Sequence, residues 1–174
     1  MKTRLILSAS MVCGLALSAA AAPPPQMVNP AVDMAGHLRV SSEAARHRRA
    51  RRVSEAEFIR MSRQPGTVIL DARSREKYDE LHVKGAINLS FPDIAYESLH
   101  RLLPDKKTRI LIYCNNNFRE GFPAFPTKAI TSALNLSTFI ALYDYGYREV
   151  YELAPLLDLE TSRLEFEGRA RVAR

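Results

Sequence analysis

Cys114 and Arg119 are the residues whose types and spacing most directly suggest chemistry. Cys114 follows Ile110-Leu111-Ile112-Tyr113, an unbroken apolar run of the kind buried in a parallel sheet. In such sheets ligands gather beyond the carboxyl ends of the strands. There the backbone N–H groups of a curling loop, with the N-terminus of a following helix, stabilise an anion. A thiol in that cradle has its pKa lowered, and the thiolate is the nucleophile. Arg119 ends a C-x4-R loop that runs through Asn115, Asn116, Asn117 and Phe118. Asparagine suits a tight anion loop because it tolerates the left-handed backbone conformation, second only to glycine. The C-x4-R spacing is a weak signal alone and a stronger one directly after a buried strand. The competing reading is a buried, inert cysteine packed as a small hydrophobe.

The elements that would hold Cys114 in place are legible on either side of it. Ser54-Glu55-Ala56-Glu57 has the form of a capping box and predicts a short helix through Phe58, Ile59 and Met61. Pro65-Gly66 marks a turn, and Val68-Ile69-Leu70 reads as a buried strand. Ser74 to Leu81 is polar and helical, and Ala86 to Leu89 is a second strand candidate. Ala95, Leu99, Leu102 and Leu103 recur at helical spacing before Pro104. Leu136, Phe139, Ile140 and Tyr143 predict a helix ending near Gly146, and Glu149-Val150-Tyr151 a last strand. Strands alternating with helices imply an α/β fold: a small parallel sheet with helices on both faces. No internal repeat is present.

The ends of the chain bear on where the thiol works. With 174 residues there is room for one domain and a tail. Hydrophobic residues make up 47% and charged residues 25%, the balance of a globular protein. Lys2 and Arg4 precede a largely apolar stretch, Leu5 to Leu17, then small residues from Ser18 to Ala22. That is the pattern of a cleavable signal peptide, about 1–21, with the cut after Ala20 or Ala21, and it predicts an exported protein, periplasmic or secreted. A lipid anchor on Cys13 competes, but Val12 is not the small residue such an anchor requires. No later stretch is apolar enough for a membrane helix. If Cys13 leaves with the signal, Cys114 remains as a lone thiol in an oxidising compartment, which marks it as a candidate for use. Residues 22–52 read as a lead. Pro23-Pro24-Pro25 and Pro30 make its first part flexible, and Arg46, Arg48, Arg49, Arg51 and Arg52 make its end basic, in a helix that Ser41 or Ser42 would cap. The basic run fits anionic lipid or nucleic acid. It equally fits a solvated helix face neutralised by acids of the domain, and export argues against nucleic acid.

Here the chain resembles the rhodanese-like family. Asp71-Ala72-Arg73, Glu76-Lys77-Tyr78 and His82-Val83-Lys84-Gly85-Ala86-Ile87-Asn88 are similar to its D-x-R, E-[FY] and G-H-I-x-G-A-x-N segments, with Leu81 in place of the glycine before the histidine. Tyr113-Cys114 falls where the family places its catalytic cysteine, and Gly146 to Tyr151 resembles its closing segment. The likeness covers 53–153 and leaves 154–174 as a C-terminal extension. One departure stands out: the stretch from Arg119 to Gly146 is about twice as long as the family's, so that about 120–134 is an insertion. Either Arg119 closes an ordinary loop and the insertion follows, or the loop itself is enlarged. Phe118, Phe122, Phe125 and Lys128 would then form a lid over Cys114 or meet a protein partner. Deletions in the insertion are expected to alter access before stability.

The resemblance implies a sulfurtransferase. Cys114 would take sulfane sulfur from a small anionic donor such as thiosulfate and pass it to a thiol or to cyanide. Arg119 and Lys128 would attract the donor, and the amides of Asn115 to Arg119 would stabilise the persulfide. Asp71, Arg73 and His82 read as structural support, and Gly85 as a turn. His37, His47, His82 and His100 have no metal-ligand spacing, and neither a metal nor a cofactor is expected. Two other functions compete: a binding module without turnover, and a phosphatase-like or arsenate-reducing enzyme, whose similar loops are one residue longer.

Overall fold

The computed structural model describes residues 29–119 and 122–170. The expected signal peptide and the start of the lead lie outside the described residues. In chain order the elements are α1 (Met34–Arg48), β1 (Arg52–Val53), α2 (Glu55–Ser62), β2 (Thr67–Asp71), α3 (Arg75–Glu80), β3 (His82–Val83), β4 (Ala86–Asn88), α4 (Tyr96–Leu102), β5 (Arg109–Tyr113), α5 (Leu134–Asp144), β6 (Val150–Leu153) and β7 (Phe166–Glu167). Five of the strands form one parallel sheet in the order β1-β6-β5-β2-β4, and β3 pairs antiparallel with β7. The strands expected at 68–70, 110–113 and near 150 are adjacent: Asp71 lies beside Tyr113 and Ile112 beside Glu152.

Side-chain alternation along β5 explains why helices cover both faces. Ile110 and Ile112 are packed with Leu70, Leu99, Leu103, Phe139, Leu142 and Ala44, the face covered by α1, α4 and α5. Leu111 and Tyr113 are packed with Phe58, Met61, Leu81 and Leu153, on the face of α2. Each fully buried Leu, Ile or Phe contributes about 1.5–3 kcal/mol of transfer free energy. The helix ends follow local chemistry. Ser54 Oγ accepts from the Glu57 N–H at 3.2 Å, as its capping box predicts. At the other end of α5, Gly146 has φ +95° and the Tyr147 N–H reaches back to the Leu142 carbonyl, the turn that ends a helix on glycine.

Two segments differ from their expected form. The lead is helical well before the basic run: α1 begins at Met34 on an Asp33 cap, and Ser42 lies inside it. Ala44 is fully buried, so α1 packs on the domain as one of its helices. The extension after Leu153 also packs onto the domain. Leu159 and Leu164 are buried, Ser162 donates to Glu55 Oε1 at 2.7 Å, and β7 pairs with β3.

Candidate functional site

Cys114 stands at the carboxyl end of β5 and caps a single tight turn, Asn115–Asn117. By strand alternation its side chain shares a face with Ile112, and therefore with Glu152 and α5. The backbone N–H groups that face its sulfur come from Asn135, Asn116 and Leu134. Two of the three belong to the first turn of α5, where helix N–H groups have no intrahelical partner. These amides therefore come from both sides of the insertion. Of the amides expected from Asn115 to Arg119, that of Asn116 is among them, while those of Asn117, Phe118 and Arg119 donate to the carbonyls of Cys114, Asn115 and Leu157.

Cys114 is only 2% exposed, which does not match a sulfur opening onto a concavity. Nor is its thiol lowered. Burial pushes it above its ordinary value, and the nearby Glu152 carboxylate adds to the rise. The amides of Asn135, Asn116 and Leu134 act in the opposite direction without overcoming burial.

The three asparagines take different parts. Asn117 is the hub of the turn: its Oδ1 accepts from the Cys114 N–H at 2.9 Å and from Asn135 Nδ2 at 3.0 Å. Its Nδ2 donates to the Leu153 and Pro155 carbonyls at 2.8 and 3.1 Å. Asn116 grips the insertion, with Nδ2 donating to the Lys128 carbonyl at 2.7 Å and Oδ1 accepting from the Lys128 N–H at 3.3 Å. Lys128 thus meets the site through its backbone. Asn115 is buried with no partner for Oδ1 among the described residues. Arg119 is held through its backbone. Its N–H donates to the Leu157 carbonyl at 2.8 Å, the Leu157 N–H donates to the Asn117 carbonyl at 2.7 Å, and the Arg119 side chain is exposed.

Asp71 and Arg73 form a second centre at the same end of the sheet but on its other face. Arg73 donates to Asp71 Oδ2 at 2.6 Å and to the carbonyls of Leu81 and Ala124 at 2.7 and 2.8 Å. The Tyr113 hydroxyl donates to the same carboxylate, and Asn88 Nδ2 holds the Asp71 and Arg73 carbonyls. Burial works against the Arg73 charge, and Asp71 more than offsets it, so the guanidinium is held above its usual value. Burial and the Asp71 charge push the Tyr113 phenol far up. Phe125 lies under Arg73, 4.3 Å from ring centroid to guanidinium, and packs on Phe118. Both rings are 1% exposed, so they are core and form no lid over Cys114. His82 stacks on Tyr78 at 3.7 Å, with Nδ1 2.6 Å from the Tyr78 carbonyl. Gly85 has φ +80°, which suits its turn.

With this geometry in view, residues 54–153 match the Rhodanese-like domain family. The chain belongs to the rhodanese-like domain family. Among curated relatives, the thiosulfate sulfurtransferase PspE of Escherichia coli K12 is 35% identical over 52 residues, which is 30% of this chain and 49% of that protein. The match thus spans about half of that relative's length. Among solved structures, the BH2092 protein of Bacillus halodurans is 26% identical with a TM-score of 0.47, covering 73% of this chain and 85% of that one. A rhodanese with anions from E. coli is 24% identical with a TM-score of 0.40, covering 59% and 98%.

Sequence reasoning about this rhodanese-like chain missed Leu134, Asn135 and Glu152. The signal for the first two is the start of the helical periodicity, since a helix following the cysteine strand presents its first amides there. The signal for Glu152 is an acid at an alternate position of a buried strand, where a charge needs a partner. Among the described residues no helix is long and apolar enough to cross a membrane.

Proposed function

We propose that Cys114 is the sulfur carrier of a sulfurtransferase. The Cys114 thiolate attacks the outer sulfur of a thiosulfate-like donor. The S–S bond of the donor breaks, sulfite leaves with its electron pair, and Cys114 holds a persulfide. Cyanide or a thiol then takes the outer sulfur and the thiolate returns, a two-step covalent exchange. The observation that carries this reading is the sulfur at the end of β5 facing the amides of Asn116, Leu134 and Asn135, which favour the anionic persulfide. The Thr138 hydroxyl, buried one turn along α5 and without a partner among the described residues, adds an uncommitted polar group near that end.

Intact mass of the full chain after incubation with thiosulfate tests the proposal. A sulfur adduct is expected on the wild type and none on Cys114→Ser, which keeps the packing. The depth of Cys114 favours a second reading, a binding module without turnover. No adduct from any of several sulfane donors would select it. A phosphatase-like reading would need an arginine ringing a tetrahedral oxyanion, and Arg119 is exposed. We also propose export behind residues 1–21, and N-terminal sequencing that finds Met1 retained would refute it.

A further inference from the structure

Asp71 and Glu152 are the two acidic side chains buried below a tenth exposure among the described residues. Asp71 is matched on its own face by Arg73. Glu152 lies on the Cys114 face, at the register of Ile112 one alternation before the cysteine. A free carboxylate there would oppose every anionic form of the sulfur, because a buried site screens charge poorly. Glu152 is not free. Arg48 donates to it from Nε and Nη2, one nitrogen to each carboxylate oxygen. Arg52 stands further off at 3.8 Å with a half-exposed side chain.

Arg48 is the last residue of α1, which precedes the matched family residues 54–153. The end of α1 is fixed on the domain by the buried Ala44, by His47 Nε2 2.9 Å from the Arg148 carbonyl, and by Arg51 Nε donating to the same carbonyl at 2.9 Å. Of the elements around Cys114, β6 brings Glu152, β1 brings Arg52, and α1 brings Arg48 together with His47, whose ring packs on Phe139 and Tyr143. The first turn of α5 brings amides and no ionisable side chain.

We propose that Arg48 is a positioning residue for sulfur transfer, locking Glu152 into a closed ion pair that offsets much of its charge while the thiolate and persulfide of Cys114 form. This rests on Cys114 being the sulfur carrier. The helix ahead of the family domain thereby sets the electrostatics of the reacting sulfur without touching it.

The test is the pH profile of Cys114 alkylation by iodoacetamide on the full chain, with a urea melt of each variant as a control for folding. Arg48→Gln is expected to raise the midpoint by about half a pH unit or more, and Glu152→Gln to lower it by a similar amount. The double variant, which removes both charges, should return near the wild type, and Arg48→Lys should stay near it as well. A folded Arg48→Gln with an unmoved midpoint overturns the proposal, as does a Glu152→Gln whose midpoint does not fall. If Arg48→Gln does not fold, Glu152→Gln and Arg48→Lys decide alone, by the same expected directions. Sulfur uptake by the wild type, read by intact mass, separates the two claims. Midpoints that shift as expected in a protein that takes up no sulfur would overturn the transfer reading and leave a thiol tuned by Arg48.

Discussion

Cys114 carries two opposing influences, and the balance between them is a residue-scale question. Burial and the Glu152 charge raise its thiol, while three amides lower it, and burial wins. A raised thiol pKa means less thiolate at neutral pH, and alkylation that quickens as pH climbs to the folded-state value. The midpoint of Cys114 alkylation in the wild type should therefore lie above the roughly 8.5 of a free cysteine. A midpoint below that value would contradict the burial seen here. Arg119 gives a second expectation at this scale. Its link to the fold is a backbone bond to Leu157, and its side chain is exposed. Arg119→Ala should change thiosulfate-dependent kcat/KM by less than about threefold, as for most exposed charges. A loss of a hundredfold in steady-state assays would restore Arg119 to the site.

At the scale of elements, the insertion divides into unequal parts. Its first part is core: Ala124 and Phe125 are buried, the Ala124 carbonyl accepts from Arg73, and the Pro123 carbonyl accepts from Lys77 at 3.1 Å. Its later part is superficial, with Ile130 84% exposed. Phe125→Ala should cost about 3–5 kcal/mol in urea unfolding, because it leaves a cavity beneath the Arg73 guanidinium. Ile130→Ala should stay within about 0.5 kcal/mol of wild type. A deletion around Phe125 is therefore expected to cost stability, and one around Ile130 to alter access before stability. Of the residues expected as a lid, Phe118, Phe122 and Phe125 are held on the opposite face from Cys114, since they pack with Tyr113 and β5 alternates between faces, whereas the Lys128 backbone is bonded to Asn116. A protein partner meeting the insertion would find the segment around Ile130, not the buried phenylalanines.

Across the whole molecule, the matched family segment is completed by what flanks it. The described residues from Asp33 onward form one compact unit. α1 closes one face through Ala44 and its arginines, and the extension closes the other through Leu159, Leu164 and β7. The basic run is accordingly paired in part: Arg48 and Arg52 with Glu152, and Arg51 with Glu149. A chain ending at Leu153 should melt at clearly lower urea than the full chain and be cut faster by protease, because it loses two buried leucines and the strand beside His82. Equal urea midpoints would show that the extension only decorates the domain.

Local pattern determined a large share of this protein. Apolar runs gave β2 and β5, helical spacing gave α4 and α5, and the Ser54 box gave the start of α2, because each depends on neighbours a few residues apart. The motif segments around Asp71, Tyr78 and Asn88 gave the family and the position of Cys114, and the rhodanese-like match over 54–153 agrees. Only the tertiary structure decided which groups surround the sulfur. Leu134 and Asn135 reach it across the insertion, Glu152 across a strand pairing, and Arg48 from a helix far earlier in the chain. The Arg119 backbone is bonded to Leu157, a contact that no spacing near Cys114 encodes. The physical reason is range: hydrogen bonding within a turn and side-chain periodicity are properties of short segments. Burial and the pairing of buried charges depend on which distant segments meet, and those two set the state of the thiol.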